Sequence, residues 1–270
     1  MHHWFKGLCS HRKQYTYLLF QFVRREIVGR YRGSILGVVW SFIAPLIMLC
    51  IYTFVFGFVF KARWGGADSG TAEFALNLFA GILLHALLAE CLTRSAGLMF
   101  ENVNYIKRIV FPLPLIPLSV VGGAAFHFLI GFSVLLVGCI VWSDAGVPVT
   151  LLLLPLLIVP FLFLVSGIAF FISATGVYIR DLAQVTPLIS AVLLFMAPIF
   201  YPLQVIPEIF RSWMYLNPLT YPVVEFRHIL FEGLVPQWDY WLIYLVISIL
   251  VLAGGFICFK RLKAGFADVV

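Results

Sequence analysis

The first candidates for chemistry in this sequence are the few ionisable residues inside its long apolar runs. Glu90 and Arg94 lie four residues apart in the run 74–99, acid first, which is the favourable order for an ion pair on one helix face. A proton relay through Glu90 or His85 is the alternative, because ionisable groups inside a membrane often mark ion paths. The spacing favours a structural ion pair between Glu90 and Arg94.

Motifs for catalysis, nucleotide binding and metal binding are missing from the sequence. It contains no GxxxxGK[ST] phosphate loop, no GxSxG or HExxH motif and no Cys/His spacing typical of metal sites. Most apolar runs also lack charge at their centres, whereas ion-coupled carriers usually keep ionisable groups there. We therefore expect a chain that is not an enzyme and holds no cofactor or metal. If it transports a substrate, a separate motor protein must supply the energy.

The composition is that of a polytopic membrane protein. Hydrophobic residues make up 63% of the 270 residues and charged residues 11%, whereas soluble domains contain about 25% charged residues. Retention of Lys and Arg on the cytoplasmic side of a membrane explains the net charge of +6 better than nucleic-acid binding does. The five cysteines stand apart from one another and are expected to be packing residues.

Six apolar runs predict six transmembrane helices. The first, from Gly33 to Phe60, has no charged residue. As a helix it would be about 40 Å long, enough to cross a hydrocarbon core of about 30 Å. The predicted spans are 33–60, 74–99, 113–142, 149–175, 185–201 and 241–259. The predicted fold is a single all-α membrane domain, 1–270, with six transmembrane helices.

Three further segments have patterns of their own. Residues 14–32 place apolar and basic positions on opposite sides of a helix, which is typical of an amphipathic helix in the membrane surface. Residues 100–110 are polar and basic and predict a short interfacial helix. Residues 202–240 are apolar but broken by prolines, which predicts short re-entrant helices buried in protein or lining a wet cavity.

The distribution of basic residues predicts the orientation. With six spans, fourteen of the eighteen Lys and Arg residues lie on the side of the termini. The other side has only Lys61, Arg63, Arg211 and Arg227. By the positive-inside rule both termini are cytoplasmic.

Aromatic residues are abundant, with 27 Phe, 11 Tyr and 7 Trp. Most are expected to pack in the interior, face lipid or lie at the membrane interfaces. Trp40, Tyr52, Phe56 and Phe60 recur along the first span and could form a flat, rigid wall on which sugar rings slide by weak stacking. These four residues are therefore candidates for the lining of a channel for a sugar polymer.

Five segments spread over almost the whole chain carry a family resemblance. They are FVRREIVGRYRGSILGVVW, YIKRIVFPLPLIPLS, VYIRDL, APIFYP and LNPLTYPVVEFRHILFEG. Together and in this order they resemble the permease of polysaccharide ABC exporters, and the O-antigen permeases in particular. The resemblance implies a homodimer in the bacterial inner membrane with two copies of a cytoplasmic ABC ATPase, which would bind ATP and Mg. The implied substrate is a polysaccharide on undecaprenyl pyrophosphate.

The resemblance also implies roles for segments and residues. Residues 14–32 would be the interface helix, 100–110 the cytoplasmic gate and coupling segment, and 202–240 the periplasmic gate helices. Basic residues in these segments are hypothesised to steer the pyrophosphate, because guanidinium groups bind phosphate oxygens in pairs; they are Arg24, Arg25, Arg30, Arg32, Lys107 and Arg108. The residues implied to couple to the ATPase are Glu101, Lys107, Arg108, Arg180 and Asp181.

Two other functions stay open on the sequence alone. An ABC exporter of a small lipid or drug-like substrate would have the same cytoplasmic turns but would not need an aromatic path wide enough for a polymer. A membrane-embedded enzyme of glycan assembly would have Asp, Glu or His clustered near one membrane face. The acidic residues here are scattered instead.

Overall fold

The protein is an all-helical bundle in a computed structural model. The structure describes residues 2–60, 64, 71–107, 111–142 and 148–269, and for 2–13 and 71 only the backbone. Of the described residues 84% are helical and none is in a strand. The α-helices are α1 (His2–Arg30), α2 (Trp40–Tyr52), α3 (Thr71–Glu101), α4 (Val103–Ile106), α5 (Leu115–Trp142), α6 (Leu154–Gly176), α7 (Leu182–Phe195), α8 (Glu208–Met214), α9 (Thr220–Arg227), α10 (Trp238–Leu262) and α11 (Phe266–Val269).

Five helical segments among the described residues are long and apolar enough to cross a membrane. They are Gly37–Val59, Ala72–Glu101, Leu115–Trp142, Val149–Gly176 and Trp238–Val269. The predicted span 185–201 overlaps one helix, α7, which begins at Leu182 and has 14 residues. A helix of that length is about 21 Å long, shorter than a hydrocarbon core of about 30 Å. The described residues therefore contain five candidate spans of full length and one shorter apolar helix.

A glycine-rich turn separates α1 from the first span. Gly33 and Gly37 have φ angles of 87° and 52°, a conformation that favours glycine. The helical segment accordingly begins at Gly37, four residues after the start of the predicted run. Beyond α2 it continues as a π-helix, Thr53–Val59. The turn allows α1 to lie beside the bundle instead of continuing into it.

Helix α3 lies at the centre of the bundle. In its most apolar stretch 72% of the residues are buried, against 11% in the first span. Helices α6 and α10 pack closely, because Gly167 and Gly255 face each other and a Cβ on Gly255 would overlap the Gly167 backbone. Small residues at such contacts are typical of helix packing in membranes. The first span, by contrast, lies at the periphery of the chain.

A second apolar cluster closes the end of the bundle at which α3 ends, here named the α1 end. Phe22 of α1, Met99 of α3 and Phe266 of α11 are all buried in it. The Tyr178 hydroxyl, just after α6, donates a hydrogen bond to the Leu262 carbonyl at 2.9 Å. The cluster thereby fixes α1 and the last residues of the chain against the ends of α3 and α6.

The segment between α7 and α10 is organised by one buried arginine. Arg227 is 5% exposed. Its guanidinium donates hydrogen bonds to the carbonyls of Asn77, Pro198 and Ile199 at 2.5–3.0 Å. Burial lowers the pKa of Arg227 to about 9, so the group stays charged at neutral pH. In the sequence analysis Arg227 is one of the four basic residues on the side opposite the termini. In the structure its guanidinium joins α9 to the start of α3.

Candidate functional site

A polar cavity of about 510 Å³ opens at the α1 end, between α1, the end of α3 and α4. Three arginines and two glutamates line it: Arg25, Arg30, Arg94, Glu26 and Glu101. The cations outnumber the anions, and guanidinium groups bind phosphate or carboxylate oxygens in pairs. With one more arginine than glutamate in its lining, the cavity is suited to an oxyanion.

Arg25 is held in a fixed orientation at the wall of this cavity. Its guanidinium donates to the Tyr105 hydroxyl at 3.0 Å and to Asn102 Oδ1 at 2.8 Å. It also lies 4.5 Å from the centre of the Phe22 ring, a cation–π contact. The Asn102 amide is fixed in turn, because it donates to the Leu98 carbonyl at 2.9 Å. Arg25 is thus oriented by Phe22 of α1, by Asn102 between α3 and α4, and by Tyr105 of α4.

Two ion pairs join α1 to α3 across the cavity, here named the α1–α3 ladder. Arg94 lies 2.5 Å from Glu26, and Arg30 lies 2.7 Å from Glu90. On each helix the two partners are four residues apart, and their order is reversed between the helices, so α1 and α3 run antiparallel here. Burial raises the pKa of Glu26, and the Arg94 guanidinium opposes that rise.

The ladder replaces the ion pair predicted between Glu90 and Arg94. The prediction was wrong because it considered one helix only, whereas α1 offers each residue a partner of opposite charge on a neighbouring helix. Arg94 also lies 3.8 Å from Glu101. Glu90 and Arg94 are structural ion-pair residues, but with partners the sequence did not indicate.

Glu90 has a second partner, His127 of α5. The Nδ1 atom of His127 lies 3.1–3.2 Å from both carboxylate oxygens of Glu90 and 3.0 Å from an Arg30 nitrogen. The other ring nitrogen, Nε2, is buried without a hydrogen-bond partner. Arg30, Glu90 and His127 thus form a contact among α1, α3 and α5. The other candidate for a proton relay, His85, instead contacts the Ser190 carbonyl of α7 at 3.0 Å.

Three of the other residues predicted to steer a pyrophosphate lie outside the polar cavity. Arg24, Arg32 and Lys107 are exposed and do not line it. Arg108 lies outside the described residues. Of the five predicted residues that the structure describes, two, Arg25 and Arg30, line the same cavity.

The turn after α6, which contains the predicted coupling residues Arg180 and Asp181, lies beside the end of α3. The Arg180 guanidinium is 5.5 Å from the centre of the Phe100 ring, next to Glu101. Arg180 and Asp181 are exposed, and the Glu101 side chain is 63% exposed. Two of the predicted coupling segments thus present charged side chains close to one another at the α1 end.

The predicted aromatic lining is only partly assembled. Phe56 and Phe60 are in ring contact at 5.8 Å, and Phe56 also contacts Phe74 at 5.7 Å. Tyr52 packs against the main core, and Trp40 is 41% exposed. Phe56 is therefore in contact with the body of the chain, while Trp40 and Phe60 remain exposed.

The described residues contain no group of three or more His, Cys, Asp or Glu side chains that could hold a metal ion. The residues of the candidate site that sequence reasoning missed are Glu26, Asn102, Tyr105 and His127. His127 was detectable as a lone ionisable residue within an apolar run. The other three have ordinary places in polar segments, and only the packing of α1 on α3 assigns them to the site.

Comparison with known proteins identifies relatives of this chain. A family model described as ABC-2 type transporter matches residues 17–231. An O-antigen export system permease of Klebsiella pneumoniae is 26% identical over 253 residues, which cover 94% of this chain and 95% of that protein. One from Myxococcus xanthus is 25% identical over 262 residues, covering 95% and 96%. A polysialic acid transport protein of Escherichia coli is 26% identical over 219 residues, covering 79% and 81%.

Proposed function

This chain belongs to the ABC-2 type transporter family, and we propose that it is the membrane subunit of an exporter of lipid-linked polysaccharide, with O-antigen as the polymer. The support is that relatives named as O-antigen export permeases match it over almost their full length. The lipid carrier in the proposal is undecaprenyl pyrophosphate.

The polar cavity is the observation that carries the proposal. Its lining has more cations than anions, and it lies where α1, an amphipathic helix, meets the end of a membrane span. The pyrophosphate of a lipid carrier could enter it from the membrane surface while the prenyl chain stays in the membrane. Arg25 is already oriented by Asn102 and Tyr105, so little side-chain entropy is lost when it binds a phosphate.

The proposed topology has six spans and both termini in the cytoplasm. Helix α7 with the turn that follows it, 182–201, supplies the fifth crossing, and the short helices between 202 and 237 lie in the outer leaflet as re-entrant helices. The positive-inside rule supports this orientation, because the basic residues of α1 and the end of α10 lie on the same side.

The proposed assembly is a homodimer with two copies of a cytoplasmic ABC ATPase, which holds the ATP and Mg. The exposed charged residues beside the end of α3 support an ATPase contact at the α1 end. The first span supports a partner in the membrane, since it is mostly unburied within the chain. The aromatic lining proposed from Trp40 to Phe60 belongs to this span.

Purification in mild detergent from the native host tests the function. We expect an ATPase with a phosphate-binding loop to copurify in equal amounts and its ATP hydrolysis to rise when the polymer-linked lipid is added. Arg25→Gln and Arg30→Gln should each reduce polymer export without disturbing dimer assembly, while Arg261→Gln at the end of α10 serves as a matched control. A chain that purifies without any ATPase would refute the proposal.

A further inference from the structure

Two cavities meet at Arg30. The polar cavity described above is lined by Arg30 on one side. A second cavity of about 360 Å³ lies deeper, between α2, α3 and α5, and Arg30 lines it too. Its walls are mostly apolar, including Leu83 and Phe128, and its polar end is formed by Glu90 and His127 with Arg30. Its volume is within the range of about 300–1,000 Å³ that is usual for small-molecule sites.

The Arg30 side chain lies between the buried Glu90 carboxylate and the open polar cavity. Its side chain is 46% exposed, whereas Glu90 is only 14% exposed. The guanidinium is therefore paired with Glu90 on its inner side while it remains open to the polar cavity on its outer side. A guanidinium has five N–H donors, so an oxyanion entering the polar cavity can engage it.

We propose that the Arg30–Glu90 ion pair is a latch between the two cavities, which the phosphate of a polyprenyl pyrophosphate opens by drawing Arg30 away from Glu90. The deeper cavity then receives the prenyl segment next to the pyrophosphate. This inference rests on the proposed function, since it names the substrate group that the same site responds to.

His127 makes the opening of the latch feasible. A carboxylate left without a partner in a membrane interior is strongly unfavourable. When Arg30 moves to the phosphate, Glu90 keeps His127, whose Nδ1 lies 3.1–3.2 Å from its oxygens. Arg30 is also the last residue of α1, followed by a turn at Gly33. Its side chain can therefore swing toward the cavity without moving the rest of α1.

The latch predicts that Glu90 competes with the substrate for Arg30. The full chain in mild detergent is titrated with farnesyl pyrophosphate, and with farnesol as the uncharged comparison, and bound ligand is counted by native mass spectrometry. Glu90→Gln should tighten farnesyl pyrophosphate binding about tenfold, the size of one charge-assisted hydrogen bond. Arg30→Gln should weaken binding by a similar factor. In the double variant the Glu90→Gln change should have no further effect, because its target is gone.

Glu73→Gln, at the opposite end of α3 and exposed, is the matched control and should bind as the unmodified chain does. Each variant is first checked for a single symmetric peak in size-exclusion chromatography, and if Glu90→Gln fails this check, Glu90→Met, which also removes the carboxylate, supplies the same comparison. Unchanged or weaker binding in the Glu90 variant, with weaker binding in Arg30→Gln, overturns the latch but leaves the pyrophosphate site standing. If the unmodified chain binds farnesyl pyrophosphate no better than farnesol, the proposed function itself fails.

Discussion

Replacement of Arg227 by Met tests whether one buried cation holds the α9 segment onto α3. Met fills much of the volume but donates no hydrogen bond, so the carbonyls of Asn77, Pro198 and Ile199 lose their guanidinium partners. Each of the two carbonyls in the turn, those of Pro198 and Ile199, costs about 1–3 kcal/mol when buried and unsatisfied. The cation–π contact with Trp64, at 4.3 Å, adds about 1 kcal/mol.

Relief of the buried charge offsets part of this loss, because desolvating a guanidinium costs several kcal/mol. We expect a net destabilisation of about 3 kcal/mol, because the unsatisfied carbonyls cost more than the relief of the buried charge returns. Arg211→Met is the matched control. Arg211 also donates to two backbone carbonyls, those of Ile206 and Gln204, but it is 37% exposed. Water can replace its bonds, so its loss should cost about 1 kcal/mol or less.

The assay is thermal unfolding of both variants in the same detergent, followed by the fluorescence of the tryptophans and by size-exclusion chromatography. Arg227→Met should unfold at a clearly lower temperature than Arg211→Met. Equal midpoints for the two variants would show that burial of the guanidinium contributes nothing beyond its hydrogen bonds, and would refute the reasoning.

Three more predictions concern packing and pH. Gly255→Leu should prevent the close approach of α10 to α6, and its yield of monodisperse protein should fall sharply compared with Gly254→Leu, where no neighbour lies within 4 Å. Phe266→Ala removes a fully buried ring and should cost about 3 kcal/mol in thermal unfolding; an unchanged midpoint would show that the last helix is not packed. The Glu225 carboxylate, 3.8 Å from His228 Nδ1, raises the pKa of His228 from its ordinary value of 6.5. Its stabilising contribution is therefore complete below pH 6.5 and is lost as the pH rises through the higher folded-state value, and His228→Gln should abolish this part of the pH dependence of unfolding.

The number and position of most spans follow from the sequence because lipid requires long, continuous apolar helices. The run from 149 to 175 and the helical segment Val149–Gly176 differ by one residue at the end. The end of the helix in the run 185–201 was harder to predict, since apolar residues continue past Phe195 while the helix does not. Pro198 cannot donate a backbone hydrogen bond, and the carbonyls of this turn are bound by Arg227 from elsewhere in the chain. A hydropathy pattern contains no information on that long-range contact.

The partners of the charged residues were less predictable than the helices. Arg25 and Arg30 were identified as anion-binding residues from their type and place, and both line the polar cavity. Glu90 and Arg94 were paired with each other, because the favourable spacing within a helix is visible in a sequence. A partner on another helix depends on how the helices pack, and the sequence contains no direct signal of that.

The α1–α3 ladder gives α1 a defined place in the proposed transport cycle. Its two pairs are one helical turn apart, about 6 Å along each helix. A slide of α1 by one turn would therefore separate both pairs and bring like charges together, Arg30 with Arg94 or Glu26 with Glu90. Glu26–Arg94 is the outer pair, close to Glu101, and Arg30–Glu90 is the inner pair at the entrance to the deeper cavity. A push on the α1 end by a cytoplasmic partner therefore acts first on the outer pair and through the rigid helix on the inner one. The two ion pairs that fix α1 in place thus connect the surface that an ATPase would contact with Arg30, the residue that a lipid phosphate would bind.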